Sequence, residues 1–287
     1  MQRSTIRPRA RTVLCLLLAV LCLIPITGIR ARAAGSSTGG YPSVSITLNG
    51  QTLYRRGALV DGEVFVNMYA YTRIFSADTS YTLSGRAVTV YGRGLTVTGE
   101  IGSPYIVANG RVLYDADRAR VIDGSLWVPL SLMAKASGLT YRRTSETSVS
   151  LTGTYKPILS GDRYYDADSV YWLSKIISAE SRGEVIEGKI AVGNVILNRT
   201  RSSAFPNTIY GVIFDRKYGV QFTPVANGTV YGTATAESVI AAKICLEGYS
   251  ISGEILYFFH PSYPGHSCWA SRNRPYAFSI GGHDFYK

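Results

Sequence analysis

The stretch "LNGQTLY" (Leu48–Tyr54) returns as "ANGRVLY" (Ala108–Tyr114), and "VDGEVFV" (Val60–Val66) returns as "IDGSLWV" (Ile122–Val128). The offsets are 60 and 62 residues. Self-similarity at a near-constant spacing means one structural unit built twice, which constrains the fold more than any single motif does. Both copies continue in the same way. A short helical segment follows (Asn67–Phe75 and Pro129–Ala136), then a strand pair, "SYTLSGRAVTVYG" and "TYRRTSETSVSLTG". The Asn-Gly and Asp-Gly pairs lie between runs rich in Val, Thr, Ser and Tyr, which is how tight hairpins are written. A unit of about 60 residues has little core of its own, so the two copies are expected to bury each other.

Beyond Thr154 the rhythm changes. Residues 157–165, opening "PILSGD", read as a linker, and from Asp166 the pattern is helical. In "LSKIISAESRGEVIEGKIAVGNVILNR" (Leu173–Arg199), Leu173, Ile176 and Ile177 recur at i, i+3 and i+4, the stripe of a buried helix face. The i+7 position completing that stripe is Glu180. Asp168 or Ser169 suits the N-cap of this helix, and Gly183 suits a left-handed stop. The next helix, about Ile186 to Arg199, is small or apolar on most sides and so belongs at a domain centre, where Asn194 and Asn198 need partners. Asn207 then reads as the N-cap of a short helix, "QFTPVANGTVYG" as a hairpin turning at Asn227-Gly228, and about Thr235–Glu247 as a helix. "EILYFFHP" and "YAFSIGGHDFYK" read as extended. Helices followed by hairpins, without a βαβ rhythm, predict an α+β domain. The expected division is 1–34 leader, 35–156 β-rich duplicated domain, 157–165 linker and 166–287 second domain.

The leader is expected from Arg3, Arg7, Arg9 and Arg11 before an apolar run (Val13 to about Ile29), with small residues at Ala31–Ala34. These are the three regions of a secretory signal peptide, which would touch the membrane only in transit. The alternative is a retained anchor, although the run is short and interrupted by Pro25 and Gly28. Of 30 basic residues, six arginines lie in the leader with no acid; against 19 acidic residues this leaves +5 for the remainder. No dense basic tract persists, so nucleic acid is not an expected partner. A mildly basic exported protein suits the anionic polymers of a cell wall. Cys15 and Cys22 go with the leader, leaving Cys245 and Cys268, whose spacing neither requires nor excludes a disulfide.

A carboxyl group on an apolar stripe is desolvated, which favours its neutral form and raises its pKa. An acid still protonated near neutral pH can donate to a leaving oxygen. The alternative is that Glu180 merely caps a helix or pairs with Arg182 or Arg199. Gln221, Phe222 and Thr223 offer an amide, an aromatic face and a hydroxyl suited to sugars, and Trp269 a stacking platform; ordinary packing is the competing account for all four. Glu184 and Glu187 flank a helix start, where the dipole favours negative charge. His260, His266 and His283 cluster late with Cys268, the ligand types a zinc amidase requires, but HExxH is absent and no metal site is expected. For a Cys–His peptidase, Cys245 looks like a buried inert thiol, and Cys268 like a loop thiol lacking a helix N-terminus to activate it.

The segments "LSKIISAESRGEVIEGKIAVGNVILNRTRSSAFPNTIYGVIF", "QFTPVANG", "LYFFHP…SCW" and "IGGHDFYK" occur in this order from about Asp166 to Lys287. Together they resemble the SleB-type cell wall hydrolases, the spore cortex-lytic family. The resemblance implies a lysozyme-like fold and a peptidoglycan-degrading enzyme cleaving glycan strands at MurNAc-GlcNAc bonds. It further implies a lytic transglycosylase giving 1,6-anhydro ends, without cofactor, in spore cortex lysis during germination. In the A-E-x-R-G-E segment it makes Glu180 the catalytic acid. His260 departs from the usual Asn of "YFFNP", and Cys268 stands at a variable position. Consistently, no Asp or Glu lies between Asp215 and Glu237, so the expected hairpin is free of acids. A hydrolysing glycosidase normally needs a second carboxylate and a transglycosylase does not, though Glu184, Glu187 or Asp215 could approach in three dimensions. The other readings are a hydrolytic muramidase or glucosaminidase, a wall amidase, or a non-catalytic wall-binding protein. The duplicated unit resembles the copper amine oxidase N-terminal domain, here an accessory module for wall or protein contacts or a plain spacer. With no His or Cys between Gly35 and Lys243, copper is not implied.

Overall fold

The computed structural model describes residues 38–53, 57–261 and 265–287; the leader expectation lies outside them. Among the described residues no helix is long and apolar enough to cross a membrane.

The first copy of the repeat runs β1 (Ser43–Leu48), β2 (Gln51–Thr52), β3 (Gly57–Val60), β4 (Glu63–Asn67), α1 (Met68–Thr72), β5 (Ser80–Ser84) and β6 (Ala87–Gly92). After β7 (Leu95–Glu100), the second copy repeats the order as β8 (Tyr105–Ala108), β9 (Arg111–Tyr114), β10 (Arg120–Ile122), β11 (Ser125–Pro129), α2 (Leu130–Ala136), β12 (Thr140–Ser145) and β13 (Ser148–Thr152). Asn49, Asp61, Asn109 and Asp123 all have φ between 46° and 52°, the left-handed backbone that a two-residue hairpin demands of the residue before its glycine. These four are the only non-glycine positive-φ residues among those described.

The copies are interlocked rather than stacked. One sheet runs β10-β11-β4-β3-β1-β13-β12, with β2 on β1, and the other β5-β6-β7-β8-β9. Thus β1 of the first copy pairs with β13 of the second. At the junction, β4 and β11 are antiparallel and Val66 lies opposite Val128, its own equivalent 62 residues on. A pseudo-twofold axis passes there, and the residues around it (Val66, Val128, Met68, Leu130) are 3% exposed or less.

The expected linker carries α3 (Gly161–Tyr164); beyond it comes α4 (Ala167–Ser181), capped by the Asp166 carboxylate accepting from the Ser169 N–H rather than by Asp168 or Ser169. α5 (Ile186–Arg201) is buried along most of its length, packed by α4, α6 (Ile209–Ile213) and α8 (Ala236–Leu246). α6 is capped by Thr208, whose hydroxyl accepts from Gly211, not by Asn207. The expected hairpin is absent. "QFTPVANGTVYG" forms α7 (Thr223–Ala226) and a 3-10 turn (Thr229–Tyr231). Pro224 starts one helical turn, and the Asn227 side chain accepts from the Thr229 N–H while Gly228 takes φ +81°, so Asn-Gly joins two helical turns instead of two strands. Gly183 also lacks the expected left-handed φ, since α4 continues into an αR residue, Arg182, and its loop is closed by Glu184 N–H to Ser181 O. The chain ends with β14 (Tyr257–Phe259), α9 (Trp269–Asn273), β15 (Tyr276–Ile280) and β16 (His283–Tyr286), paired β14-β16-β15. The domain is α+β as expected.

The domains meet through the second Asn-Gly hairpin. Arg111 follows Gly110 where the first copy has exposed Gln51, and its guanidinium binds Glu247 through two bonds of 2.7 Å. Lys135 adds a 3.3 Å contact, the Tyr165 hydroxyl donates to Glu247 at 2.9 Å, and Tyr164 lies 3.4 Å below the guanidinium. Burial would raise the Glu247 pKa, but the bonds from Arg111 and Tyr165 and the two positive charges hold it below its ordinary value. Val112 belongs to the core of the second domain. The intervening segment is strapped down as well, with Gly161 N–H on Asn109 O and Ile158 N–H on Ala136 O. Glu247→Ala strands Arg111 in a side-chain environment 10% exposed, and removing one partner of such a pair costs about 3–5 kcal/mol. Urea denaturation followed by far-ultraviolet circular dichroism is expected to show that loss, with wild type unfolding in one transition and the variant in two as the domains uncouple.

Candidate active site

Glu180 stands on the last turn of α4, where Leu173, Ile176 and Ile177 are fully buried beneath it. It is itself half-buried, and among the described residues nothing hydrogen-bonds its carboxylate. Desolvation pushes its pKa up to about 7 from an ordinary 4.5. The alternative pairings do not form. Arg182 reaches Thr233 O, and Arg199 donates to Leu256 O at 2.7 Å among the rings of Phe205, Phe222 and Tyr257. The chain from Tyr231 to Thr235 runs beside α4, held by Lys175 to Gly232 O at 2.6 Å and by Thr235 N–H to Ser178 Oγ at 3.1 Å.

The end of α4 is secured from two sides. From α5, buried Lys189 donates to the Glu184 carbonyl and pairs with Glu237 at 3.0 Å. From the β15–β16 turn, the Gly282 N–H reaches both oxygens of Glu184, at 3.1 and 3.3 Å. His283, only 3% exposed, lies beside the Glu180 main chain with Nδ1 3.5 Å from Glu184 Oε1, and that nitrogen has no hydrogen-bond partner among the described residues. Burial lowers its pKa, opposed by Glu184, so the ring is neutral at neutral pH. Of the three late histidines, His283 is inside, because its place in the middle strand of a three-stranded sheet buries it.

Two family matches bear on this arrangement. Residues 183–286 match the family described as Cell Wall Hydrolase, and residues 47–151 match the Copper amine oxidase N-terminal domain. The second domain is a cell wall hydrolase domain. A spore cortex-lytic enzyme of Bacillus cereus is 37% identical over 123 residues, which is 43% of this chain and 46% of that one. One from Oceanobacillus iheyensis is 34% identical over 131 residues, 46% of each. The chain thus spans about half the length of the curated relatives it matches. Among solved structures, the catalytic domain of the germination-specific lytic transglycosylase SleB from Bacillus anthracis is 35% identical, covering 45% of this chain and all of that one, with a TM-score of 0.39.

Within the hydrolase domain the remaining expected site residues separate. Gln221 donates to Gly219 O at 3.2 Å, and Thr223 is exposed at the start of α7. Phe222 is 3% exposed and stacks on Phe258, so its ring is core and not a sugar face. Trp269 is the reverse, 54% exposed and leaning on Tyr257 with Arg274 against its face. None of the four hydrogen-bonds Glu180. Cys268 is not in a loop but caps α9, accepting from Ser271 N–H at 3.4 Å. Cys245 is buried with its thiol pKa pushed up by desolvation, and both cysteines are free. No group of three potential ligands exists among the described residues. Two features were passed over in the sequence. One is Lys189, a charge inside an apolar helix, which signals a buried bond. The other is an aromatic cluster around Trp172, with Tyr171, Tyr210 and Tyr231 each about half exposed.

The Glu180 environment has a sign that stability can read. The folded state keeps this proton to about pH 7, whereas the unfolded chain releases it near 4.5. Between these values the folded state binds more protons, so stability falls as pH rises. Glu180→Gln removes the penalty. Calorimetry is expected to find the variant and wild type equal at pH 4, and the variant more stable by roughly 2–3 kcal/mol at pH 8.

Proposed function

We propose that the protein is an exported peptidoglycan-degrading enzyme that cleaves glycan strands at MurNAc-GlcNAc bonds as a lytic transglycosylase, acting in spore cortex lysis during germination. The observation that carries this reading is Glu180, a carboxyl group left without a partner at the end of α4 and tuned to about 7 by desolvation. Near neutral pH a useful fraction holds the proton needed by the glycosidic oxygen, and the resulting carboxylate is basic enough to take one back. As the bond to C1 breaks, that carboxylate faces the developing positive charge. It then accepts the proton of the muramoyl 6-hydroxyl as that oxygen closes on C1. The sugar is left as a 1,6-anhydro end, water is not consumed, and Glu180 is again protonated.

The other carboxylates nearby support one-acid chemistry. Glu187 is bound by Arg118 at 3.1 Å and by the Tyr114 hydroxyl at 3.3 Å; Glu237 is bound by Lys189, and Asp215 accepts from the Lys217 N–H. Glu184 is held by Gly282. The half-exposed tyrosines around Trp172 and the open face of Trp269 offer rings on which sugars stack. The β-rich domain, docked on the hydrolase domain through Glu247, is positioned to meet wall polymers or proteins alongside the catalytic domain.

Mass spectrometry of fragments released from purified spore cortex and vegetative peptidoglycan tests this reading. Wild type is expected to release anhydro-muramoyl ends, and Glu180→Gln at least ~10³-fold fewer, the scale of losing a general acid. The rate is expected to fall as pH rises through about 7 as Glu180 loses its proton. Reducing ends would instead mean hydrolysis with a second carboxylate, free stem peptides an amidase, and binding without release a wall-binding protein.

A further inference from the structure

We propose that Glu184 is a positioning residue that aligns Glu180 by bolting the glycine turn of the C-terminal hairpin to the end of the catalytic helix. This rests on the reading of Glu180 as the acid. Glu184 lies four residues beyond Glu180, and its two oxygens share the Gly282 N–H at 3.1 and 3.3 Å. The fit requires glycine. A β-carbon on Gly281 would collide with the Glu184 carboxylate, and one on Gly282 would meet the His260 ring and Glu184. Gly281 also has φ +57°, so the turn is shaped to let the carboxylate in.

The same turn delivers His283, buried beside the Glu180 main chain with its Nδ1 3.5 Å from Glu184 Oε1. The turn therefore packs on the end of the helix through one hydrogen-bonded contact, Gly282 to the Glu184 carboxylate, and one buried ring, His283. Lys189 adds a hydrogen bond to the Glu184 carbonyl. The last carbonyls of a helix have no partner within it and normally turn to solvent. Here the loop that follows them is held from outside at Glu184, by Lys189 on its carbonyl and Gly282 on its carboxylate, which restrains the direction in which the Glu180 side chain leaves the helix. The groups facing His283 are Glu184, the Glu180 main chain, His260 with its ring centroid 5.3 Å away, and the apolar ring of Phe258.

A carboxylate committed to a backbone N–H acts by geometry, whereas a nucleophile or base acts by charge, and substitutions separate the two. Glu184→Gln keeps an oxygen acceptor at full reach without the charge. Glu184→Asp keeps the charge but falls one methylene short of Gly282. With soluble glycan fragments and rates normalised to folded protein by circular dichroism, Glu184→Gln is expected to stay within ~3-fold of wild type. Glu184→Asp and Gly281→Ala are each expected to lose about 10- to 100-fold in kcat with little change in KM, the cost of misplacing a reacting group by an ångström or so. They are also expected to move the alkaline limb of the pH–rate profile, because a displaced Glu180 changes its solvation. Since Gly281→Ala acts by expelling the carboxylate, adding it to Glu184→Ala is expected to cost nothing further beyond Glu184→Ala alone. The proposal is overturned if Glu184→Gln is as inactive as Glu184→Asp, which would make Glu184 a participant in the chemistry, or if the losses multiply in the double variant. Failure of the wild type to form anhydro ends would strike the reading of Glu180 instead, and is visible in the same assay.

Discussion

The second domain depends on a helix that cannot turn any face to water. α5 is buried along most of its length, yet carries Lys189, Asn194, Asn198 and Arg199, each 5% exposed or less. Buried polar groups must find partners or forfeit the free energy of their lost hydration. All four find backbone. Lys189 takes the Glu184 carbonyl; Asn194 takes Tyr249 O and the Ile251 N–H; Asn198 takes Ser252 O and Ile255 O; Arg199 takes Leu256 O. One helix thereby pins the loop after α4 and the whole connection from α8 to β14. The C-terminal hairpin that braces Glu180 inherits its placement from these bonds.

A comparable necessity shapes the first domain. Neither copy of the repeat completes a sheet, so β1 finds β13 and β4 finds β11. The duplication then diverges where it is useful. At the position after the Asn-Gly turn, Gln51 of the first copy faces solvent, whereas Arg111 of the second joins Glu247 across the domain boundary. A tethered module would search the wall independently of the catalytic domain. A module docked by a desolvated ion pair and a shared core moves with it.

Local signals were legible where the physics is local. The four Asn-Gly and Asp-Gly pairs announced their turns because few other residues tolerate left-handed backbone. Glu180 was legible because helical periodicity says which positions face inward, and a carboxyl there is out of place. Asn227-Gly228 misled, since the same turn chemistry serves two strands or two helical turns and only pairing partners decide. Phe222 misled because an aromatic ring beside polar residues looks like a sugar platform until a neighbour, Phe258, covers it.

By itself, then, the sequence determined the main helices, the Asn-Gly and Asp-Gly turns and the carboxyl group that does not belong on its stripe, because each follows from spacing within a few turns of chain, and the duplication because the same short pattern recurs. What only the tertiary structure decided are the contacts across long separations. Among these are Glu184 with Gly282, 98 residues apart, and Arg111 with Glu247, 136 apart. Glutamates at or near the ends of helices look alike in sequence. Which one stays bare, which holds a turn and which locks two domains depends on what the fold brings to it.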